Sequence, residues 1–170
     1  MTESARYSPL HRVHEQLGAS FTDFAGWQMP VRYDSDLAEH HAVRTTAGIF
    51  DISHMAEIAV SGAGAAAFLN YALAGEFSSL AIGQARYTLL LNDAAGVIDD
   101  LIVYRVGDQR FLVVANAGNR FPVVEALQHR TTGFGVEVRG VLARCPGLLQ
   151  PQVVADCLVN LLPDANAEVE

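Results

Sequence analysis

The stretch Gly96-Val97-Ile98-Asp99-Asp100-Leu101-Ile102-Val103-Tyr104 constrains the fold of this chain more than any other. Two acids stand side by side at the mouth of an otherwise apolar strand, just after a small-residue turn that follows Asn92 and Asp93. From Leu101 to Val103 nothing polar intervenes, the pattern of a strand buried on both faces rather than one that alternates. A carboxylate beside such a strand needs partners, because burying it bare costs on the order of several kcal/mol. At least one of Asp99 and Asp100 is therefore expected to meet backbone N–H groups, a cation or a ligand amine. The alternative is local: both acids cap the turn through Asx-type bonds, a common use of Asp near Gly.

With 170 residues, 51% hydrophobic and 18% charged, the chain can bury a real core and is not a disordered segment. A net charge of −8 and the absence of any Lys argue against sequence-independent nucleic-acid binding, which needs clustered cations to neutralise phosphates. Cys145 and Cys157 lie outside any C-x-x-C or Cys/His pattern and make neither a zinc site nor a secreted disulfide framework. No apolar run is long enough to span a bilayer, and Met1 to Leu10 lacks the regions of a secretory signal, so a soluble cytoplasmic protein is expected.

Ser8 to Gly18 reads as a short helix capped by Ser8, with Leu10, Val13 and Leu17 on its apolar face and His11 and His14 at the margin. Phe21, Phe24, Trp27 and Met29 follow as an aromatic-rich segment expected to wedge into a core. Asp36 to Thr46 reads as a second helix. From Met55 the order is strand (Ala56 to Val60), helix (through Ala65, Phe68, Leu69 and Leu73), strand (Arg86 to Leu91), strand (Asp99 to Val106), strand (Arg110 to Ala115), helix (Asn119 to Arg130) and strand (Phe134 to Val138). The expected fold class is α+β: an N-terminal helical segment, then a ferredoxin-like, split βαβ sheet with one added strand, largely antiparallel, with helices on one face.

Three tempting motifs carry little. His40 and His41 are chain neighbours, about 100° apart on a helix, and cannot easily share an ion. Ser53 with Asp51 and His54 lacks a nucleophile elbow, and a Ser-His pair adjacent in the chain does not set up the base-to-nucleophile bond. Gly62-Ala63-Gly64 opens a helix after a strand, with Ala67 where the third Gly or Ala of a phosphate loop would fit, but no acidic residue stands suitably at the end of the next strand.

Six segments taken together resemble one family. Pro9-Leu10-His11, Phe24 to Val31, Glu39 to Arg44, Gly48 to Met55, Gly96 to Tyr104 and Val113 to Ala117 are similar, in this order, to the N-terminal part of aminomethyltransferase, the T-protein of the glycine cleavage system. That resemblance implies transfer of a one-carbon unit from an aminomethyl group on the lipoyl arm of a carrier protein, the H-protein, to tetrahydrofolate, with release of ammonia. It further implies that Asp100 faces the reactive amines of the folate as the catalytic carboxylate, with Asp99 as its orienting or capping neighbour. By the same resemblance Met55 packs against the pterin, Tyr87 lines the pocket and Asn116 offers an amide to the pterin edge.

The resemblance covers about residues 9 to 139. The expected organisation is a family part over 1–140, with a helical and aromatic segment to residue 50 and the sheet after it, followed by a non-family tail over 141–170. The family's C-terminal barrel is not expected in these residues. In the tail, Val153, Val154, Cys157, Leu158, Leu161 and Leu162 recur at helical spacing, consistent with one amphipathic helix or with a fortuitous pattern in a shifted reading frame. Two rival readings of the same chain remain: a folate-binding relative without catalysis, and an inert truncated domain that self-associates.

Overall fold

Trp27 is the one buried hydrophobic side chain among the described residues of the first compact unit, which ends at Met55. The computed structural model describes residues 5–141. Around that indole the chain forms β1 (Arg6–Tyr7), α1 (His11–Gln16), β2 (Ser20–Phe24), β3 (Trp27–Arg32) and α2 (Asp36–Thr45). The strands make a sheet in the order β1-β3-β2, with β1 parallel and β2 antiparallel to β3. The hairpin turns at Ala25 and Gly26, both with positive φ (52° and 81°).

This sheet corrects the expected helical segment. Trp27, Met29 and Val31 alternate with Gln28, Pro30 and Arg32, a period of two that the density of aromatics obscured. The core-wedge expectation holds for Trp27 alone, since Phe24 lies exposed at the end of its strand. The face of α1 is also other than expected: Leu10, Val13 and Leu17 are exposed, and His14 is the residue this helix buries. Ser35 caps α2 by accepting the N–H of Ala38 at 3.4 Å, and no residue of α2 is buried.

The second unit begins at Ala56. It runs through β4 (Ala56–Ser61), α3 (Ala65–Ala72), β5 (Ala85–Leu91), β6 (Val97–Gly107), β7 (Arg110–Ala115), a 3-10 turn at Ala117–Asn119, α4 (Arg120–His129) and β8 (Glu137–Val141), the order of elements expected from the sequence. The sheet order is β5-β6-β7-β4-β8 and every neighbouring pair is antiparallel. β7 and β8 therefore run parallel on either side of β4, joined by α4, which is a split βαβ unit. The added strand makes the β4-α3-β5 connection cross to the far edge, where β5 runs antiparallel to β4.

One face of this sheet holds the core. Ile58 and Val60 of β4, Leu90 of β5, Leu101 and Val103 of β6, and Phe111 and Val113 of β7 pack with Phe68 and Leu69 of α3 and Val123 and Leu127 of α4. Both helices lie on that side. β6 is therefore not buried on both faces, as its apolar run implied: Leu101 and Val103 point to the core, while Asp100, Ile102 and Tyr104 occupy the opposite face, exposed or half-exposed. Without a helix of its own unit on that side, the sheet keeps apolar residues such as Ile102 and Leu89 there, with the Asp100 carboxylate beside them. Apart from Val141, which belongs to β8, the expected tail over 141–170 and its amphipathic helix over Pro151 to Leu162 lie outside the described residues.

Candidate functional site

The turn before β6 does not use the paired acids. Asn92 closes it, its Oδ1 accepting the N–H groups of Ala94 at 3.0 Å and Gly96 at 2.8 Å. Asp99 and Asp100 are thereby left for other partners, and strand alternation sends them to opposite faces.

Asp99, only 2% exposed, faces the helix side with Leu101 and Val103. Its carboxylate accepts the Asn116 N–H at 2.9 Å, the Asn116 Nδ2 at 3.0 Å and the Asn119 Nδ2 at 2.6 Å. Three donors compensate the burial and tie the end of β7 and the turn into α4 to β6. The expectation that at least one acid meets N–H donors is borne out at this residue.

Asp100 is exposed on the other face. The register pairs Leu89 with Asp100 and Tyr87 with Ile102, which sets Tyr87 diagonally beside the carboxylate on the same face. Ile102 pairs with Val114, so continuing the ladder by two residues brings Asn116 opposite Asp100. The side chains meet accordingly: Tyr87 Oη donates to Asp100 Oδ2 at 2.6 Å, and Asn116 Nδ2 donates to Asp100 Oδ1 at 3.0 Å. That donation to Asp100, reinforced by the negative charge of both acids, pushes the Tyr87 hydroxyl up from its ordinary range and keeps it a donor. Each carboxylate oxygen has one protein donor and a remaining lone pair, so an incoming N–H or ammonium group finds an oriented acceptor beside Ile102, Leu89 and Val114.

Three of the four residues singled out from the sequence, Tyr87, Asp100 and Asn116, are thus brought together. Met55 is the last residue of the first unit, its N–H donated to Ile52 O at 3.0 Å, and is no part of this cluster's unit. The amide of Asn116 turns its NH2 to the two acids, which leaves its carbonyl end for a ligand donor. Among the described residues no group of three or more His, Cys, Asp or Glu is arranged to hold a metal ion, and no helix is long and apolar enough to cross a membrane. A groove of about 640 Å³ opens elsewhere in this unit, between α4 and β4, with Ile58, Phe121 and Val124 among its apolar walls. Burial there pushes the Glu57 carboxyl up against the pull of the Arg120 charge. The groove contains none of the clustered polar groups.

A second polar assembly, in the first unit, escaped the sequence. Asp51, its side chain 3% exposed, accepts Ser8 Oγ and His14 Nε2 (2.8 Å) on one oxygen, and the Ser53 N–H (2.9 Å) and Ser53 Oγ (2.5 Å) on the other. His14 Nδ1 in turn meets Tyr33 Oη at 2.7 Å. Asp51 and Ser53 do meet, but the imidazole bonded to Asp51 is that of His14, 37 residues away, in place of the His54 that follows Ser53 in the chain. A histidine one position off the apolar stripe of α1 was the only available signal.

Compared with known proteins, residues 10–148 match the family model described as GCVT N-terminal domain, nine residues beyond the Arg139 limit read from the motifs. The aminomethyltransferase of Corynebacterium jeikeium is 55% identical over 138 residues, 81% of this chain and 35% of that protein. That of Cutibacterium acnes is 59% identical over 133 residues, 78% of this chain and 36% of that protein. A crystal structure of glycine cleavage system aminomethyltransferase T from Bartonella henselae superposes with a TM-score of 0.77 at 47% identity, over 81% of this chain and 38% of that one. The chain spans about a third of the length of the curated relatives it matches.

Proposed function

The chain belongs to the GCVT N-terminal domain family, the N-terminal part of aminomethyltransferases, and from that premise we propose that it supplies the pterin-contacting part of a tetrahydrofolate-dependent aminomethyl transfer. The observation that carries this reading is the exposed Asp100 carboxylate held between Tyr87 and Asn116 on the apolar open face of the sheet. Tetrahydrofolate fits that donor set, since its flat ring needs an apolar surface and its N–H groups need acceptors. Bound there, it would supply the nitrogens that take up the one-carbon unit.

The remaining roles fall to the chain. Asp100, fixed on a rigid strand, orients the ligand's N–H groups and stabilises positive charge that develops as ammonia departs, with no rearrangement of its own. Tyr87 and Asn116 hold the carboxylate in one rotamer, and the carbonyl end of Asn116 faces the pterin edge. Asp99 acts at one remove by holding the Asn116 loop in place. A lipoyl-bearing carrier protein, the H-protein of the glycine cleavage system, is the donor partner that this chemistry requires.

Calorimetric titration of the full chain with tetrahydrofolate tests the reading. Saturable binding is expected, with at least a tenfold loss in Asp100→Asn, which removes the charge at nearly constant volume. Unchanged affinity in that variant would remove Asp100 from the site. A second reading, self-association, is favoured by the exposed Leu37 (82%), Ile49 (99%) and Phe50 (70%) of the first unit. Sedimentation equilibrium reads it directly, and a monomer at micromolar concentration would exclude it.

A further inference from the structure

Among its four donors Asp51 holds His14 by the Nε2 nitrogen, and this fixes which imidazole nitrogen is basic. An ionised carboxylate only accepts, so Nε2 carries its proton toward Asp51 and the lone pair of the neutral ring sits on Nδ1. Facing Nδ1 at 2.7 Å is Tyr33 Oη, which must donate to it. With its proton turned inward, the phenol oxygen presents lone pairs outward. The burial of the partners is graded: Asp51 and His14 are almost wholly enclosed, and Tyr33 is 42% exposed. Glu39 Oε1 fixes the outer end by accepting the Tyr33 N–H at 2.8 Å.

We infer that Asp51, His14 and Tyr33 form a proton relay whose outer end, the Tyr33 hydroxyl, takes a proton from an acidic N–H or O–H group of a ligand or general acid and passes its own to His14. The balance is simple. The donor's N–H or O–H bond breaks as a new O–H bond forms at Tyr33, the original Tyr33 O–H bond breaks, and an N–H bond forms at His14 Nδ1. The donor leaves with its electron pair, and an imidazolium results beside the Asp51 carboxylate.

Each group suits its place. Asp51 is held at about 2 and cannot take the proton itself. Burial, with the charges of Asp51 and Glu39, pushes the Tyr33 hydroxyl up, so the phenol conducts the proton without residing as phenolate. Those two carboxylates are the charged groups bearing on Tyr33, and both favour arrival of positive charge. Ser8 and Ser53, the other contacts of Asp51, donate and do not titrate in this range. None of these residues belongs to the Asp100 cluster, and the inference stands or falls apart from folate binding.

A purely structural tie would use the same hydrogen bonds, so the test reads the route of the proton. In the full chain with 15N-labelled histidine, the neutral His14 ring is expected as the Nε2–H form, with Nδ1 unprotonated. A single signal averaged over the neutral ring and the imidazolium is expected, in fast exchange, at a rate that rises with the concentration of imidazole buffer as the probe acid. Tyr33→Phe keeps the Asp51–His14 pair and removes the outer oxygen, so exchange should slow at least tenfold and the two protonation states should resolve as separate signals. A neutral Nδ1–H form, or equal exchange rates in Tyr33→Phe and wild type, would overturn the relay. Should Tyr33→Phe fail to fold, the ring form and the buffer dependence of the wild type decide alone, and a rate independent of imidazole would overturn it equally.

Discussion

At Asp51 burial pushes the carboxyl up, and the hydrogen bonds from Ser53, Ser8 and His14 outweigh it and hold it at about 2. A folded value below the unfolded one stabilises the fold at pH above the unfolded value near 3.8, and this contribution disappears as pH falls through the folded value. The loss should therefore fall between pH about 4 and about 2, and amount to on the order of 1–2 kcal/mol. Thermal melts across that range should show the wild type losing stability more steeply than Asp51→Asn, which is already weaker at neutral pH. Parallel curves would mean that the network contributes nothing to acid stability. The neighbouring acids of β6 divide differently. Asp99→Asn turns an amide toward three donors and should cost about 1–3 kcal/mol in urea melts, whereas exposed Asp100→Asn should cost less than about 1 kcal/mol. The reverse order would contradict the burial that separates them. The sequence placed both acids beside an apolar strand but not on opposite faces, because an apolar run is the same for a strand covered twice and for one whose second face lacks a helix. His14 was illegible for a related reason: α1 has six residues, and one buried carboxylate from 37 residues away turns it against its own apolar stripe.

Elements of the second unit were legible because their periods are clean. β4 alternates strictly, α3 keeps Ala65, Phe68, Leu69 and Ala72 inward, and Gly107-Asp108-Gln109 announces the β6–β7 hairpin. The β2–β3 hairpin was missed because it turns on Ala25-Gly26 among aromatics that read equally well as core. Glycine at the start of α3 served a purpose other than the phosphate loop its pattern hinted at. A Cβ on Gly64 would stand 1.7 Å from the Phe134 carbonyl oxygen, so the loop before β8 lies directly on the entry to the helix. Gly133, at φ +89°, has open space around its missing Cβ. The two substitutions therefore separate steric from conformational cost. Gly64→Ala must displace backbone and should cost about 2–3 kcal/mol, while Gly133→Ala meets only left-handed strain of about 1 kcal/mol. Equal midpoints in chemical denaturation would show that the 131–136 loop yields freely to α3.

Across the whole molecule, apolar burial is unequally shared. Among the described residues the connected core lies between Ala56 and Val138, whereas the first unit buries Trp27 and the polar side chains of Ser8, His14 and Asp51. Since burial of apolar area is the main favourable term in folding, at about 25 cal/mol per Å², the first unit should be the less stable of the two. The chain carries a single Trp, and it sits in that unit, so tryptophan emission reports the first unit alone. In urea the emission change of Trp27 should precede the main loss of far-UV circular dichroism. The dichroism should be biphasic, its minor early phase tracking the indole and its major phase tracking the five-stranded sheet. Hydrogen exchange gives the same ordering amide by amide: β4, β6 and β7 should be protected to the highest free energy, and β1 to β3 should open at lower cost. Superposable transitions by emission and dichroism would mean that the two units unfold as one cooperative body, and that the polar network around Asp51 stabilises the first unit as fully as the apolar core stabilises the second.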